Sequence, residues 1–197
     1  MVAGLAWWLA RYLQVDVLGW GVGNDIHAYH HYAQQWGRGG APYVTFHPEY
    51  PPGSLVVFLA PYLVGGPEEY GRAFAIEMAL FDLASLWLVL AWSRRLFSDS
   101  LRAVVLAGVG YLACTAALFP VLYTRFDLAP GALLFGALLA SYTPGWWLAG
   151  AALLGVAGGV KLWPFALTPL FLLLSYRQGG WRRIALTCGG IAAGTLL

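Results

Sequence analysis

Two long uncharged stretches limit what this chain can fold into. Residues 103–123 carry no charged side chain, and neither do residues 128–160. A helix needs roughly 20 apolar residues to cross the hydrocarbon core of a bilayer. The second stretch is long enough for one crossing and the start of another, and the TPGWW sequence at 143–147 is a turn signal that divides it. Both stretches therefore predict membrane-spanning helices.

The composition argues against a water-soluble domain. Charged residues make up 10% of the chain and hydrophobic residues 60%, and the mean hydropathy is +0.66. Soluble domains usually carry about 25% charged residues. The net charge of +2 and the lack of a basic run indicate no nucleic-acid partner. We therefore predict an all-α fold, a polytopic transmembrane helical bundle forming one domain over residues 1–197.

The apolar segments are divided into six predicted spans and an incomplete seventh. The segment from residue 184 stops after 14 apolar residues, so we expect a C-terminally truncated fragment, the N-terminal part of a longer protein. Residues 53–65 are too short to cross comfortably, which predicts an interfacial helix inside an outer loop at 22–71. The predicted spans are roughly residues 2–21, 72–93, 103–123, 127–142, 146–162, 163–176 and the segment from 184.

Arginine positions predict the orientation. The loops at 93–102 and 176–183 hold six of the eleven basic residues, and cytoplasmic loops are enriched in Lys and Arg. If both loops are cytoplasmic, three polar segments lie together on the outer side: 22–71, 123–128 and 160–164. We therefore expect an integral membrane protein, surrounded by lipid, with its site on the extracytoplasmic face.

The outer loop concentrates the polar chemistry of the chain. Residues 23–53 hold all four histidines, two of the nine acids and a Tyr-Pro-Pro corner. His27 and His31 have the spacing of zinc-binding helices, but Ala28 stands where a metalloprotease has its glutamate, so we predict no metal site. Asp25 is better placed as a general base, and the alternative is that it caps the helix that follows.

The other two polar segments offer both signs of charge. Arg125 and Asp127 lie in one, and Lys161 lies in the other. Ionisable residues at membrane depth are functional candidates by default. The alternative is structural: Arg125 pairs with Asp127, and Lys161 extends its charge to the interface. Their convergence on one side favours a site.

These motifs, in their order, resemble the polyprenyl-phosphate-sugar-dependent glycosyltransferases of the GT-C fold. Within that fold they resemble glycosyltransferase family 87, which includes bacterial polyprenyl-phosphomannose-dependent mannosyltransferases. The resemblance covers about residues 20–176, although members of the family run to about twice this length. The motifs that carry it are Asp25-x3-Tyr29, Gly37 or Gly39 with Pro42-Tyr43, Tyr50-Pro51-Pro52, Arg125-Phe126-Asp127 with Pro130, and Gly155 to Val160-Lys161-Leu162-Trp163-Pro164 with Pro169.

The resemblance implies a function and a role for each site residue. A sugar, most simply mannose, would pass from a polyprenyl-phosphate donor to a hydroxyl of a glycolipid, glycan or protein acceptor, on the outer face of a bacterial plasma membrane. Asp25 would be the base, while Arg125 and Lys161 would bind the donor phosphate. The resemblance leaves open whether a divalent cation is needed. Residues implied to bind substrate are Asp127, Tyr29, His47, Glu49 and Tyr50.

Two other classes of function remain open from the sequence. A transporter or flippase of a lipid-linked sugar would use Glu77 and Asp82, two acids inside the predicted span 72–93, as an ion relay. A membrane scaffold would need none of these residues. The transporter alternative does not account for the long polar outer loop, because transporters usually place their polar groups near mid-bilayer.

Overall fold

The computed structural model describes residues 24–98, 100–118 and 122–196. These residues form seven α-helices and one short 3-10 helix and contain no β-strand, which confirms the all-α prediction. The predicted first span, residues 2–21, lies outside the described residues. The helices are α1 (Asn24–Gly37), α2 (Pro52–Gly65), α3 (Tyr70–Leu96), α4 (Leu101–Ala117), α5 (Leu128–Ser141), α6 (Trp147–Val160), the 3-10 helix (Trp163–Leu167) and α7 (Thr168–Thr195).

The chain divides into two compact units. The first unit comprises Met1–Gly40 and Phe58–Leu128, and the second comprises Ala41–Val57 and Ala129–Leu197. Helix α2 therefore begins in the second unit and ends in the first. The single domain predicted over the whole chain stays a prediction.

A helical hairpin is the largest part of the first unit. Helix α3 has 27 residues, about 40 Å at 1.5 Å per residue, and among the described helices it is the one long and apolar enough to cross a membrane. Helix α4 follows α3 in the chain, and at its start the Ser100 hydroxyl accepts a hydrogen bond from the Ala103 amide at 3.5 Å. This N-cap satisfies a backbone amide that has no partner within the helix, and it marks the start of α4.

Four buried aromatic rings pack together in the first unit, and we call them the aromatic cluster: Tyr29, Phe58, Phe74 and Phe126. Each is at most 1% exposed. Tyr29 of α1 stacks on Phe58 of α2, with ring centroids 4.4 Å apart. Phe126 meets both of these rings edge-on. The cluster therefore ties α1, α2 and α3 to residues 122–128, the corner that follows α4.

The second unit packs short apolar helices around a core of Leu134, Ala137, Leu154 and Phe171. Helices α5 and α6 have 14 residues each, about 21 Å, against roughly 30 Å for the hydrocarbon core. The TPGWW turn lies between them as predicted, with Gly145 at a φ of +81°. Both helices are shorter than the spans predicted at 127–142 and 146–162.

Helix α7 is broken in the middle and folds back on itself. Gly179 and Gly180 have non-helical backbone angles, and Gly180 has a φ of +62°, which favours glycine. The hydroxyls of Ser175 and Thr187 meet at 2.6 Å, whereas 12 residues of straight helix would separate them by about 18 Å. The break coincides with the arginine-rich loop predicted at 176–183.

Candidate functional site

Asp25 and Arg125 form an ion pair within the first unit. Asp25 lies in the first turn of α1, and Arg125 lies in the corner at 122–128. The Asp25 Oδ2 atom is 2.5 Å from Nη1 of Arg125, and the side chains are 28% and 53% exposed. The contact is an ion pair rather than an aligned hydrogen bond, because no hydrogen bond of good geometry reaches Oδ2. The Oδ2 atom itself is buried. Both side chains remain partly exposed.

The aromatic cluster explains why these two residues meet. Tyr29 follows Asp25 by four residues, so both side chains lie on one face of α1. Phe126 follows Arg125 directly. The rings of Tyr29 and Phe126 pack edge to face, with centroids 5.4 Å apart. Their contact draws the first turn of α1 to the corner, and it places the carboxylate beside the guanidinium.

The charges of this pair suit both proton transfer and phosphate binding. A carboxylate accepts protons, and a guanidinium offers five N–H donors in a fixed fork. The ion pair joins Asp25 to Nη1 of Arg125, one of the nitrogen atoms of the guanidinium. A phosphate can therefore be bound by the remaining donors without breaking the ion pair.

A second group of predicted residues lies in the second unit. His47 and Glu49 are exposed and Tyr50 is partly exposed, in the segment before α2. The Tyr43 hydroxyl donates a 2.5 Å hydrogen bond to the Tyr50 carbonyl oxygen, which closes this segment into a loop.

Lys161 lies close to the end of that loop. A side chain at Gly53 would come within 2.8 Å of the Gly159 carbonyl group, at the end of α6. Lys161 follows α6 with an extended backbone, and its amide donates to the Ala157 carbonyl oxygen at 3.0 Å. The glycine after the Tyr-Pro-Pro corner thus lets this corner approach the residue predicted to bind phosphate.

The remaining predicted residues differ in exposure. Asp127 is exposed in the corner at 122–128. Tyr29 is 1% exposed inside the aromatic cluster. Its position gives it a packing role, and its contact with a sugar stays a prediction. In the described residues no group of three or more His, Cys, Asp or Glu side chains is placed to hold a metal ion.

His30 packs between α1 and α3, whereas His27 and His31 are exposed. Its ring stacks on Tyr70 of α3, with centroids 4.7 Å apart. The Nε2 atom is buried, and no described group hydrogen-bonds to it. Burial lowers the pKa of His30, and the charges of His27 and His31 lower it further. The neutral ring is therefore the form that this position favours.

The two acids of α3 have different surroundings. Asp82 is 4% exposed, and its carboxylate accepts hydrogen bonds from Tyr111 and Tyr123. Glu77 faces a groove of about 430 Å³ between α2 and α3, and its Oε2 atom has no hydrogen-bond partner in the described part of the chain. The sequence located both acids in a span but not the tyrosines that bind Asp82. Tyr111 inside the uncharged run 103–123 and Tyr123 at its end were the available signal.

Comparison with known proteins identifies a family. The sequence model of glycosyltransferase family 87 matches residues 46–197. Asp25 lies before the matched residues, and Arg125 and Lys161 lie within them. No solved structure matches the chain.

A curated relative points the same way. The polyprenol-phosphate-mannose-dependent α-(1-2)-phosphatidylinositol pentamannoside mannosyltransferase of Mycobacterium tuberculosis (strain CDC 1551 / Oshkosh) is 35% identical over 126 residues. These residues are 63% of this chain and 27% of the relative, so the match spans about a quarter of that protein's length. Neither comparison supports the transporter or scaffold alternative. The family match covers more than half of the chain, and the chain belongs to glycosyltransferase family 87.

Proposed function

We propose that the full-length protein transfers mannose from a polyprenyl-phosphate donor to a hydroxyl of a glycolipid, on the extracytoplasmic face of a bacterial plasma membrane. The donor class is supported by family membership and by the activity of the mycobacterial relative, which also suggests a mannosylated lipid acceptor. The observation that supports a site in this chain is the ion pair of Asp25 with Arg125. It joins a base and a phosphate-binding cation from segments 100 residues apart.

Asp25 is the proposed general base. As the acceptor oxygen attacks the anomeric carbon, its proton passes to the Asp25 carboxylate. The bond between the anomeric carbon and the phosphate oxygen breaks, so the polyprenyl phosphate leaves with an additional negative charge. Arg125 and Lys161 stabilise that charge. The lipid phosphate is already a good leaving group, so the proposal requires no general acid.

The exposed polar residues complete the proposed site. Asp127 orients Arg125 or binds an acceptor hydroxyl, while His47 and Glu49 bind sugar hydroxyls. Tyr50 and Tyr29 shape the sugar pocket, Tyr29 from the protein interior. A donor dissolved in the membrane requires chemistry where lipid meets water, and this requirement accounts for polar residues concentrated in one outer loop.

The test compares two substitutions in the full-length protein in membrane vesicles supplied with radiolabelled polyprenyl-phosphate mannose. Asp25→Asn keeps the size of the side chain and removes the base, so transfer should fall about 100-fold or more. Glu68→Gln is the matched control, because Glu68 is an exposed acid of the same unit outside the site. It should transfer like the wild type.

Two other outcomes contradict different parts of the proposal. Equal transfer by wild type and Asp25→Asn would show that Asp25 is not the base. No transfer by the wild type from this donor, with a glycolipid extract as acceptor, would exclude polyprenyl-phosphate mannose as the donor.

A further inference from the structure

A hydrogen-bonded triad lies behind the corner that carries Arg125. The Asp82 Oδ1 atom accepts a hydrogen bond from the Tyr111 hydroxyl at 2.6 Å, and its Oδ2 atom accepts one from the Tyr123 hydroxyl at 2.8 Å. Tyr111 belongs to α4, and Tyr123 lies in the corner at 122–128. The Asp82 carboxylate therefore binds α4 through one oxygen and the corner at 122–128 through the other.

Burial makes these hydrogen bonds important. Asp82 is 4% exposed and Tyr123 is 5% exposed. A buried carboxylate that lacks hydrogen bonds is strongly destabilising, so an arrangement that satisfies both oxygens is favoured over a displaced corner. The position of the Tyr123 hydroxyl is thus determined by an acid on the 27-residue helix α3.

The corner is anchored on both sides of Arg125. On one side Tyr123 is bound to Asp82, and Thr124 is 1% exposed. On the other side Phe126 is fully buried in the aromatic cluster. Arg125 is the exposed residue between them, so its backbone has little freedom to move relative to α3 and α1.

We propose that Asp82 is a positioning residue, which acts through Tyr123 to hold the Arg125 guanidinium beside Asp25 and in reach of the donor phosphate. The part about the phosphate rests on the proposed function. The part about the guanidinium and Asp25 does not. Asp82 itself touches no substrate.

Tyr111 provides a matched control for this idea. Tyr111→Phe and Tyr123→Phe each remove one hydroxyl from the same carboxylate, but only Tyr123 is attached to the corner. If Asp82 only joined α3 to α4, the loss of the Tyr111 hydroxyl would matter at least as much as the loss of the Tyr123 hydroxyl. If Asp82 positions Arg125, the two substitutions differ in donor binding.

The first experiment measures donor KM, kcat and thermal stability of the full-length protein with each substitution. Tyr123→Phe should raise the donor KM on the order of tenfold, because a hydrogen bond to a charged group is lost. Tyr111→Phe should change the donor KM by less than about twofold. It should lower the melting temperature by about as much as Tyr123→Phe does, because each substitution removes a hydrogen bond to the same carboxylate. Equal donor KM values for both variants, raised or not, would overturn the proposal.

The second experiment is independent of catalysis. Cysteines at positions 25 and 125, in a background without Cys114 and Cys188, are joined by a short bifunctional thiol reagent. Tyr123→Phe should reduce the crosslinking yield several-fold, and Tyr111→Phe should leave it unchanged. Equal yields would overturn the inference even if sugar transfer is normal. If the wild type transfers no mannose but the yields differ as expected, the positioning role stands and the proposed donor fails.

Discussion

Two neighbouring rings, rather than the charges themselves, bring Asp25 to Arg125. A half-exposed ion pair contributes about 0–1 kcal/mol, too little to hold two segments together. Phe126 is fully buried and Tyr29 is 1% exposed, and burying such side chains contributes about 1.5–3 kcal/mol each. The aromatic cluster therefore determines the local structure, and the polar pair occupies the position that the cluster creates.

His30 gives a prediction about pH at the scale of one residue. Its pKa in the folded protein is lowered from the usual 6.5 by burial and by His27 and His31. Between the two pKa values the unfolded chain binds more protons than the folded protein. The contribution of His30 to stability is thus fully present above about pH 6.5 and is lost as the pH falls below that value.

The measurement is the melting temperature of the full-length protein in nanodiscs between about pH 7.5 and pH 5.5. His30→Phe can keep the stacking on Tyr70 and cannot be protonated, so its melting temperature should fall less on acidification than that of the wild type. His47→Phe, at an exposed position, should retain the wild-type pH dependence. Identical curves for wild type and His30→Phe would contradict this account.

At the scale of helices, the second unit depends on glycines that allow close approach. A side chain at Gly194 would collide with the Ala152 carbonyl oxygen, and one at Gly155 with that of Ile191. The backbone of α6 therefore lies directly against residues 181–195 of α7. Small residues at helix contacts permit such packing, which provides van der Waals energy where lipid removes the hydrophobic driving force.

Gly194→Ala tests that packing, with Gly189→Ala as the matched control in the same helix. Gly194→Ala should destabilise the protein by about 1–3 kcal/mol, because the added methyl group overpacks the contact. A side chain at Gly189 meets nothing within 4 Å. Gly189→Ala should be neutral or stabilising by up to about 1 kcal/mol, since alanine favours helix. Chemical denaturation of the full-length protein measures both, and equal effects would rule out the close contact.

The helices themselves follow from local sequence more readily than their contacts do. The uncharged runs predicted α4, α5 and α6, and the TPGWW turn and the arginine-rich break were also predicted. The lengths of α5 and α6 were overestimated, because hydropathy alone does not fix where a helix ends. The hydrogen bonds of Asp82 join residues 29 and 41 positions apart, and such long-range pairs depend on how the helices pack.

For the candidate site, too, the sequence predicted which residues matter but not which of them would be in contact. Asp25, Arg125 and Lys161 were selected from polar positions in an apolar chain and from the family resemblance. Arg125 pairs with Asp25, and this pairing depends on the buried contact of Tyr29 with Phe126. The sequence alone suggested Asp127 as the partner of Arg125. A single sequence gives no measure of that contact. Tyr29 was predicted as a substrate residue because aromatic rings serve both in sugar pockets and in cores.

At the scale of the whole molecule, the predicted site residues fall into two groups. Asp25, Arg125 and Asp127 belong to the first unit, and Lys161 belongs to the second with the loop around Glu49. The proposed transfer needs all of them on one side of the membrane. The orientation deduced from the arginines is therefore the part of the proposal on which the others depend.

Cysteine accessibility across α3 tests that orientation. The full-length protein, cleared of native cysteines, carries either Glu68→Cys before α3 or Ser98→Cys after it, both at exposed positions. An impermeant maleimide added to intact cells should label position 68, because the proposal places the site on the extracytoplasmic side. It should label position 98 only after permeabilisation, since the adjacent Arg94 and Arg95 favour the cytoplasm. The reverse pattern would place Asp25 on the cytoplasmic face, and labelling of both positions in intact cells would show that α3 does not cross the membrane.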